Sequence, residues 1–380
     1  MRKHLLLSAL ALILPLALPA QQIVKGRIEN APQHKTYMPT FKSDGDTKYP
    51  KNIILMIGDG TGLAHIASGY YANGGQLTVT NLKACGWVTT QSADAFTTDS
   101  AASGTAYACG QKTYNNAVGV DMDRKPIPNI PEIVAERKII SGVVSTDDMH
   151  GATPASFFAH QPQRRMYTEI WGDLPGSPLT FWSAGSQEAF AAKATAETQK
   201  AVREAFTVVT SLDDPDVWQA GRLGYLPTAV ESGYIVDGRT DFLPKTTAFA
   251  VKFLKERCNR RRGFFLMVEG ARIDKASHGN EYESMVREML DFDEAIEQAL
   301  RFADADGNTL VIICADHETG GTTLWNGDPA KGNMEGVFVS THHTPIPIPL
   351  FAYGPRSQDF MGVQGNEEVG QKIIKLLMQR

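Results

Sequence analysis

The residues able to do chemistry fall into a few short clusters. The first is Phe96-Thr97-Thr98-Asp99-Ser100-Ala101-Ala102-Ser103-Gly104-Thr105-Ala106. Thr98 or Asp99 can cap a helix there, which puts Ser100 in its first turn. Free backbone N–H groups and the positive end of the helix dipole point at that position. A serine oxygen can be held there as an anion, or can face a bound phosphate. The rest of the chain carries carboxylates and imidazoles that could build a metal site around such a serine: Asp59, His150 with Thr153, Glu269, Asp274 four residues before His278, the adjacent Asp316 and His317, and His343. Asp274 and His278 share one face of a helical turn. Mixed Asp and His sets suit Zn²⁺, and sets without His suit Mg²⁺. Taken singly, each cluster has an ordinary explanation, because Asp and His at strand ends also cap neighbouring helices. Jointly they point to a metal-assisted reaction at a serine.

Parallel strands would have to position these groups. Lys51–Ile57, Ile139–Ser145, Gly263–Val268 and Thr309–Cys314 are short, almost wholly apolar runs, the pattern of strands buried on both faces. Each ends in one of the clusters: Asp59 in a Gly-rich turn, His150/Thr153, Glu269 and Asp316. Ligands of open α/β sheets bind beyond the carboxyl ends of strands. Helices are expected at Ala64–Tyr71, from Ser100, at Ile130–Lys138, from Ala155 to His160, at Glu188–Phe206, Thr246–Glu256, Glu281–Ala303 and Glu367–Met378, with a further strand near Gly86–Ser92. Strands alternating with helices predict an α/β fold, a three-layer α/β/α sandwich around a central mostly parallel sheet, with peripheral insertions.

Residues 1–20 carry Arg2, Lys3 and His4 before a short apolar run that ends in Ala20, the pattern of a secretory signal cleaved after Ala20. The run is short for a membrane span and holds two prolines, and no later segment is long and apolar enough to serve as an anchor. Residues 21–50 read as a polar N-terminal arm on the surface. Residues 51–380 read as a single catalytic domain, with 166–245 as a peripheral region or lid. Loss of residues 1–20 takes the formal charge from −5 to −7. That argues against a general nucleic-acid or membrane-surface binder, and an anionic substrate would need local positive charge from metals or a placed arginine. Export permits disulfides among Cys85, Cys109, Cys258 and Cys314, but their spacing gives no pairing and is not that of a zinc ribbon. Cys314, inside an apolar run, reads as a buried thiol.

Seven segments occur together in the order of a known family: Gly58-Asp59-Gly60, Thr98-Asp99-Ser100-Ala101-Ala102-Ser103, Ala152-Thr153-Pro154-Ala155, Val268-Glu269-Gly270-Ala271, Ile273-Asp274-x-x-x-His278, Ala315-Asp316-His317-Glu318-Thr319-Gly320-Gly321, and His343 with Tyr353-Gly354-Pro355. From about Lys51 to the C-terminus the chain resembles the secreted bacterial alkaline phosphatases, loosely over 166–245 and with a short segment between Gly321 and His343. The resemblance implies hydrolysis of small-molecule phosphate monoesters through a phosphoserine on Ser100, by a monomer or homodimer. It implies two Zn²⁺ and one Mg²⁺: Asp274, His278 and His343 on the first zinc, Asp59, Asp316 and His317 on the second, and Asp59, Thr153 and Glu269 on Mg²⁺. It makes Arg164, four residues after His160, the clamp on the phosphate oxygens, in preference to Arg165. Asp99, His150 and Lys275 are candidates for a supporting layer around the site. Lys275 is equally readable as an exposed lysine. Many relatives carry Asp or His two residues before the Mg²⁺-site threonine, whereas this chain has Gly151, with His150 one step earlier as a possible substitute.

Rival readings are a phosphodiesterase on the same scaffold and a non-catalytic exported protein that binds metal or phosphate. A sulfatase would need Cys or Ser in a C/S-x-P-x-R setting, which Ser100-Ala101-Ala102-Ser103 lacks. A diesterase needs room for a second ester group, which Arg164 opposes. A binding protein has no need of Ser100.

Overall fold

The apolar runs pair side by side as the spine of the molecule. The structure, a computed structural model, describes residues 23–379. Ten strands form the central sheet: β1 Asn52–Gly58, β2 Ala84–Thr89, β3 Ile140–Ser145, β4 Leu179–Ala184, β5 Thr207–Val209, β6 Leu223–Tyr225, β7 Phe264–Gly270, β8 Thr309–Cys314, β9 Ile348–Tyr353 and β10 Gly362–Gly365. Their spatial order is β10-β2-β9-β8-β1-β7-β3-β4-β6-β5. All pairings are parallel except those of β9, which runs against both β2 and β8. The mixed α/β sheet flanked by helices is the expected class.

Period-2 alternation divides each strand between two cores. Along β1, Ile54 and Met56 join a core with the helices Phe242–Arg257 and Tyr282–Asp306. Ile53, Leu55 and Ile57 face the other way, toward Tyr107 of the helix Ser100–Cys109 and Ile373 and Leu377 of the helix Asn366–Met378. All five β1 side chains are fully buried. At roughly 1.5–3 kcal/mol per buried large apolar side chain, this two-sided burial is what sets the register. The register aligns the strand ends: Ile57 lies beside Glu269 of β7 and Cys314 of β8, and Ser145 of β3 lies on the other side of Glu269. Because β9 is antiparallel, its N-terminal end approaches the same edge, and His343 precedes it by five residues.

Several local expectations are corrected. The single helix expected over Glu188–Phe206 is two, Gln187–Lys193 and Ala196–Ala205. Ala194 is extended (ψ 138°), and Thr195 caps the second helix by accepting from the Thr198 N–H at 3.2 Å. The stretch 166–245 supplies β4, β5 and β6, the last three strands at one end of the central sheet. β5 and β6 have three residues each, too few to show a period. The helix expected from Ala155 instead covers Ala152–Ala155, the helix from Ile130 stops at Ala135, and the strand expected near Gly86–Ser92 is Ala84–Thr89. Part of the arm is a strand: Val24–Ile28 pairs with Asn333–Phe338, which pairs with Thr323–Asp328. The proposed signal segment and its cleavage site lie outside the described residues. All four cysteines are free, with Cys109, Cys258 and Cys314 buried.

The arm is tied down by buried carboxylates of the long helix. Asp293 accepts from the N–H groups of Thr78 at 2.8 Å and Val79 at 3.0 Å, and its Oδ2 lies 3.2 Å from His34 Nε2. Asp293 is fully buried. Replacement by Ala leaves two buried donors unpaired, at roughly 1–3 kcal/mol each. Asp293→Ala is therefore expected to lose about 3 kcal/mol in a urea titration. A loss below about 1 kcal/mol would mean that these donors find other partners.

Candidate active site and metal centre

Ser100 opens the helix Ser100–Cys109 and is buried. Of the two expected caps, Asp99 is the one that forms: its Oδ1 accepts from the Ala102 N–H at 3.0 Å. The helix then presents Ser100, Ser103 and Tyr107 on one face. Ser103 Oγ donates to the Asp316 carbonyl at 2.8 Å, and Tyr107 OH to the Ala315 carbonyl at 2.7 Å. These bonds hold the Asp316-His317 loop against the helix, and Ser100 Oγ comes 3.2 Å from His317 Nε2. Gly104 allows close approach on another side: a Cβ there would sit 2.9 Å from Ser156 Oγ and 3.4 Å from Thr153 Cα. The small residues after Ser100 thus let the Thr153 turn pack tightly on the helix.

Arg164 reaches the same place. Its Nη1 lies 3.0 Å from Asp99 Oδ2, and its backbone N–H donates to the Asn116 carbonyl at 2.8 Å. Arg165 is exposed. Asn115 and Asn116 are site residues that the sequence did not single out by role. Asn115 Oδ1 accepts from the Asp99 N–H at 3.1 Å, its Nδ2 donates to the Thr97 carbonyl at 3.0 Å, and the Asn116 N–H donates to Asp99 Oδ1 at 3.1 Å.

The strand ends bring the carboxylates and imidazoles together. Asp59 Oδ1 lies 3.5 Å, and Asp316 Oδ2 3.2 Å, from His317 Nε2. Gly60 has a φ of +69°, and its N–H donates to Asp316 Oδ1 at 3.0 Å. A Cβ on Gly60 would meet Thr319 Oγ1 at 2.7 Å and Asp274 at 2.8 Å, so only glycine fits this turn. As the spacing predicts, Asp274 and His278 meet on one helix, Arg272–His278, with Asp274 Oδ2 3.3 Å from His278 Nε2. His343 Nε2 lies 3.6 Å from Asp274 Oδ1 and 3.0 Å from His278 Nε2, and the His343 ring stacks on His317 at 3.5 Å between centroids. His342 is exposed.

Among the described residues, two trios have ligand atoms mutually within 4.8 Å: Asp59, Asp316 and His317, and Asp274, His317 and His343. The first is the expected second-zinc set. The second shares Asp274 and His343 with the expected first-zinc set but includes His317, while His278 stands beside it. Glu269 accepts from Ser145 Oγ and is buried, and Thr153 is buried in the turn Ala152–Ala155. His150 is buried against other groups: its Nδ1 accepts from Trp171 Nε1 at 3.2 Å, and its ring packs edge-on to Tyr167 at 4.6 Å. Lys275 is half-buried and paired with Asp147, a residue that sequence reasoning passed over. Thr319, also passed over, donates to Asp274 Oδ1 at 2.5 Å.

Three observations fit this donor set to bound cations. Asp59 Oδ1, Asp316 Oδ2 and Thr153 Oγ1 are among the buried polar atoms that no hydrogen-bond donor or acceptor satisfies, and each offers a lone pair. His278 Nδ1 faces the Thr341 carbonyl at 2.6 Å, and His343 Nδ1 faces the Thr98 carbonyl at 2.9 Å. Carbonyls only accept, so both Nδ1 atoms carry a proton and both Nε2 atoms turn toward the cluster, the usual orientation of metal-binding histidines. The third is charge crowding. Burial, then Asp316, Asp274 and Glu269, pushes the Asp59 carboxyl well above its usual range. Burial, then Asp147, pushes Glu269 up to about 8. Burial opposes ionisation of Asp274 and Asp316 as well, but neighbouring imidazoles outweigh it and hold both below the usual range.

Comparison with known proteins places the chain. The family model described as alkaline phosphatase matches residues 50–182 and 237–336. Alkaline phosphatase H of Pseudomonas aeruginosa is 30% identical, over 90% of this chain and 88% of its own. The alkaline phosphatase of Escherichia coli is 31% identical, over 83% of each. The structure of alkaline phosphatase from the Antarctic bacterium TAB5 superposes with a TM-score of 0.81 at 37% identity, covering 87% of this chain and 99% of that one, and a variant of it is described with Mg bound in the M3 site. With the family's segments in order along the chain and gathered at one sheet edge, the chain belongs to the alkaline phosphatase family and is a phosphatase.

Proposed function

We propose that this enzyme hydrolyses phosphate monoesters to an alcohol and inorganic phosphate, with Ser100 as the nucleophile. The observation that carries the reading is the position of Ser100 Oγ: buried, at a capped helix N-terminus, 3.2 Å from the imidazole shared by both Asp/His trios. Asp274, His278 and His343 would hold one Zn²⁺, Asp59, Asp316 and His317 a second, and Asp59, Thr153 and Glu269 a Mg²⁺. Bound there, the ions would lower the pKa of the attacking hydroxyl and offset charge on the attacking and leaving oxygens.

The protein's own groups then have defined tasks. The Ser100 Oγ–phosphorus bond forms as the bond from phosphorus to the ester oxygen breaks, and the alcohol leaves. Water displaces Ser100 from phosphorus in the second half, releasing phosphate and restoring the hydroxyl. The N-terminal amides of the helix favour the anionic group beside Ser100. Asp99 orients Arg164 through one nitrogen, leaving a planar fork that suits two phosphoryl oxygens. Burial keeps water from competing at the wrong moment. The basic, apolar stretch 1–20 supports export, and no helix among the described residues is long and apolar enough to cross a membrane.

The direct test is hydrolysis of an aryl phosphate monoester and the matching diester, after chelation and again with Zn²⁺ and Mg²⁺ restored. Metal-dependent preference for the monoester is expected, and a preference for the diester would remove Arg164 from its role. Ser100→Ala should nearly abolish turnover while metal content is kept. Arg164→Ala should lower kcat/KM by about 10²–10³-fold.

Chelation also has a consequence for stability. Glu269 has its carboxyl raised from 4.5 to about 8 in the fold. A carboxyl raised by folding favours the folded state while protonated, so that contribution is lost as pH rises from 4.5 through 8. The chelated protein should therefore melt at falling temperature over this window, and the metal-loaded protein should resist the fall. Parallel melting curves for the two forms would contradict cation binding at Glu269.

A further inference from the structure

The alkaline phosphatase pattern leaves a gap at Gly151, and the structure fills it from elsewhere in the chain. Gly151 has φ −58° and ψ 149°, a backbone conformation open to any residue. Conformation therefore does not require glycine. Space does: a Cβ built on Gly151 would overlap Asp147 Oδ2 and sit 2.8 Å from Asp147 Cγ. The Asp147 carboxylate occupies the volume in which a side chain at position 151 would begin.

Asp147 is also wired to both ends of the site. Its backbone N–H donates to Ser145 Oγ at 2.8 Å, and that same hydroxyl donates to Glu269 Oε2. Its Oδ1 pairs with Lys275 Nζ, next in sequence to Asp274. One residue thus connects, through its backbone N–H, the strand β3 that supports Glu269 and, through its carboxylate, the helix that carries Asp274 and His278. Lys275 fixes its direction, and Gly151 leaves it room.

We propose that Asp147, pinned by Lys275, is the positioning residue for a divalent cation held by Glu269 and Thr153, taking from four residues upstream the place of a side chain at position 151. The inference rests on the functional reading above for the cation itself. It assigns Asp147 to orienting that cation's surroundings and to no contact with the reacting atoms.

The arrangement makes a relocation test possible. Mg²⁺ is titrated by calorimetry into the zinc-loaded protein, alongside kcat and KM for an aryl phosphate. Asp147→Ala should weaken Mg²⁺ binding about 10- to 100-fold, the usual effect of losing a group that orients metal ligands. Gly151→Asp alone should also weaken it, because two carboxylates then compete for one volume. The double variant Asp147→Ala/Gly151→Asp should regain affinity to within a few-fold of the natural protein, after a small shift of the Asp148 carbonyl, which a Cβ at 151 would meet at 2.9 Å. Asp147→Asn, nearly the same shape, separates charge from packing and should bind Mg²⁺ as weakly as Asp147→Ala while the circular-dichroism spectrum stays that of the natural protein.

A double variant no better than Asp147→Ala, or an Asp147→Asn variant that binds Mg²⁺ as the natural protein does, overturns the proposal. Natural protein that binds Mg²⁺ but hydrolyses nothing overturns the functional reading and leaves this one standing. Natural protein that binds no Mg²⁺ overturns this inference, and hydrolysis measured alongside decides the functional reading separately.

Discussion

The constraint on which this molecule depends is the crowding of buried carboxylates at one edge of a sheet. Asp59, Glu269, Asp274 and Asp316 are all buried there, and two of them present an oxygen without a hydrogen-bond partner. Burying an isolated ionised carboxylate is among the costliest things a fold can do. Hydrogen bonds from Ser145, Thr319 and the Gly60 N–H, with the neighbouring imidazoles, offset part of that cost, but Asp59 and Glu269 stay above their usual range. The burial pattern is coherent if the cluster is completed by cations, whose charge would reverse the local logic and let Asp59 and Glu269 ionise. The same residues then explain both why the edge is unstable alone and why a serine placed on it would be reactive.

The sheet is built to make that edge. Register along β1, β7 and β8 is held by full burial on both faces, so a slip of one residue would exchange the two cores. That rigidity fixes where Asp59, Glu269 and Asp316 emerge. The antiparallel β9 solves a separate problem. A parallel strand would deliver His343 to the opposite edge, whereas β9 begins at this one and lets His343 reach Asp274. Topology, more than local sequence, therefore completes the imidazole side of the site.

What was legible in the sequence follows from this division. Strands buried on both faces announce themselves as unbroken apolar runs, and chemistry at their carboxyl ends is conspicuous because Asp, Glu and His stand out against such runs. Asp59, Glu269, Asp316 and the i, i+4 pair Asp274/His278 could be read in this way. The edge strands β5 and β6 could not, since three residues carry no period, and Thr195 interrupts an otherwise continuous helical pattern by capping. Asp147 was visible as one of two adjacent aspartates, but its role depends on Lys275, 128 residues away. Asn115 carries no signal of a task for a similar reason: its bonds to Asp99 and Thr97 are made by a fold, not a spacing.

Asp99 shows how tightly the reactive end of the site is specified. Its Oδ1 caps the Ser100 helix and also accepts from Asn116, and its Oδ2 holds Arg164. One carboxylate thus sets the position of Ser100 and the direction of the guanidinium together. A charge-assisted bond at an N-cap strengthens as the surroundings become drier, and so does the pair with arginine. The two functions therefore cannot be tuned apart: any movement that turns Arg164 away from Asp99 also loosens the helix end from which Ser100 points. Asn115 closes the loop by bonding the backbone on both sides of Thr98, whose carbonyl orients His343. Ser100, Arg164 and His343 are consequently set by one short, mutually bonded turn.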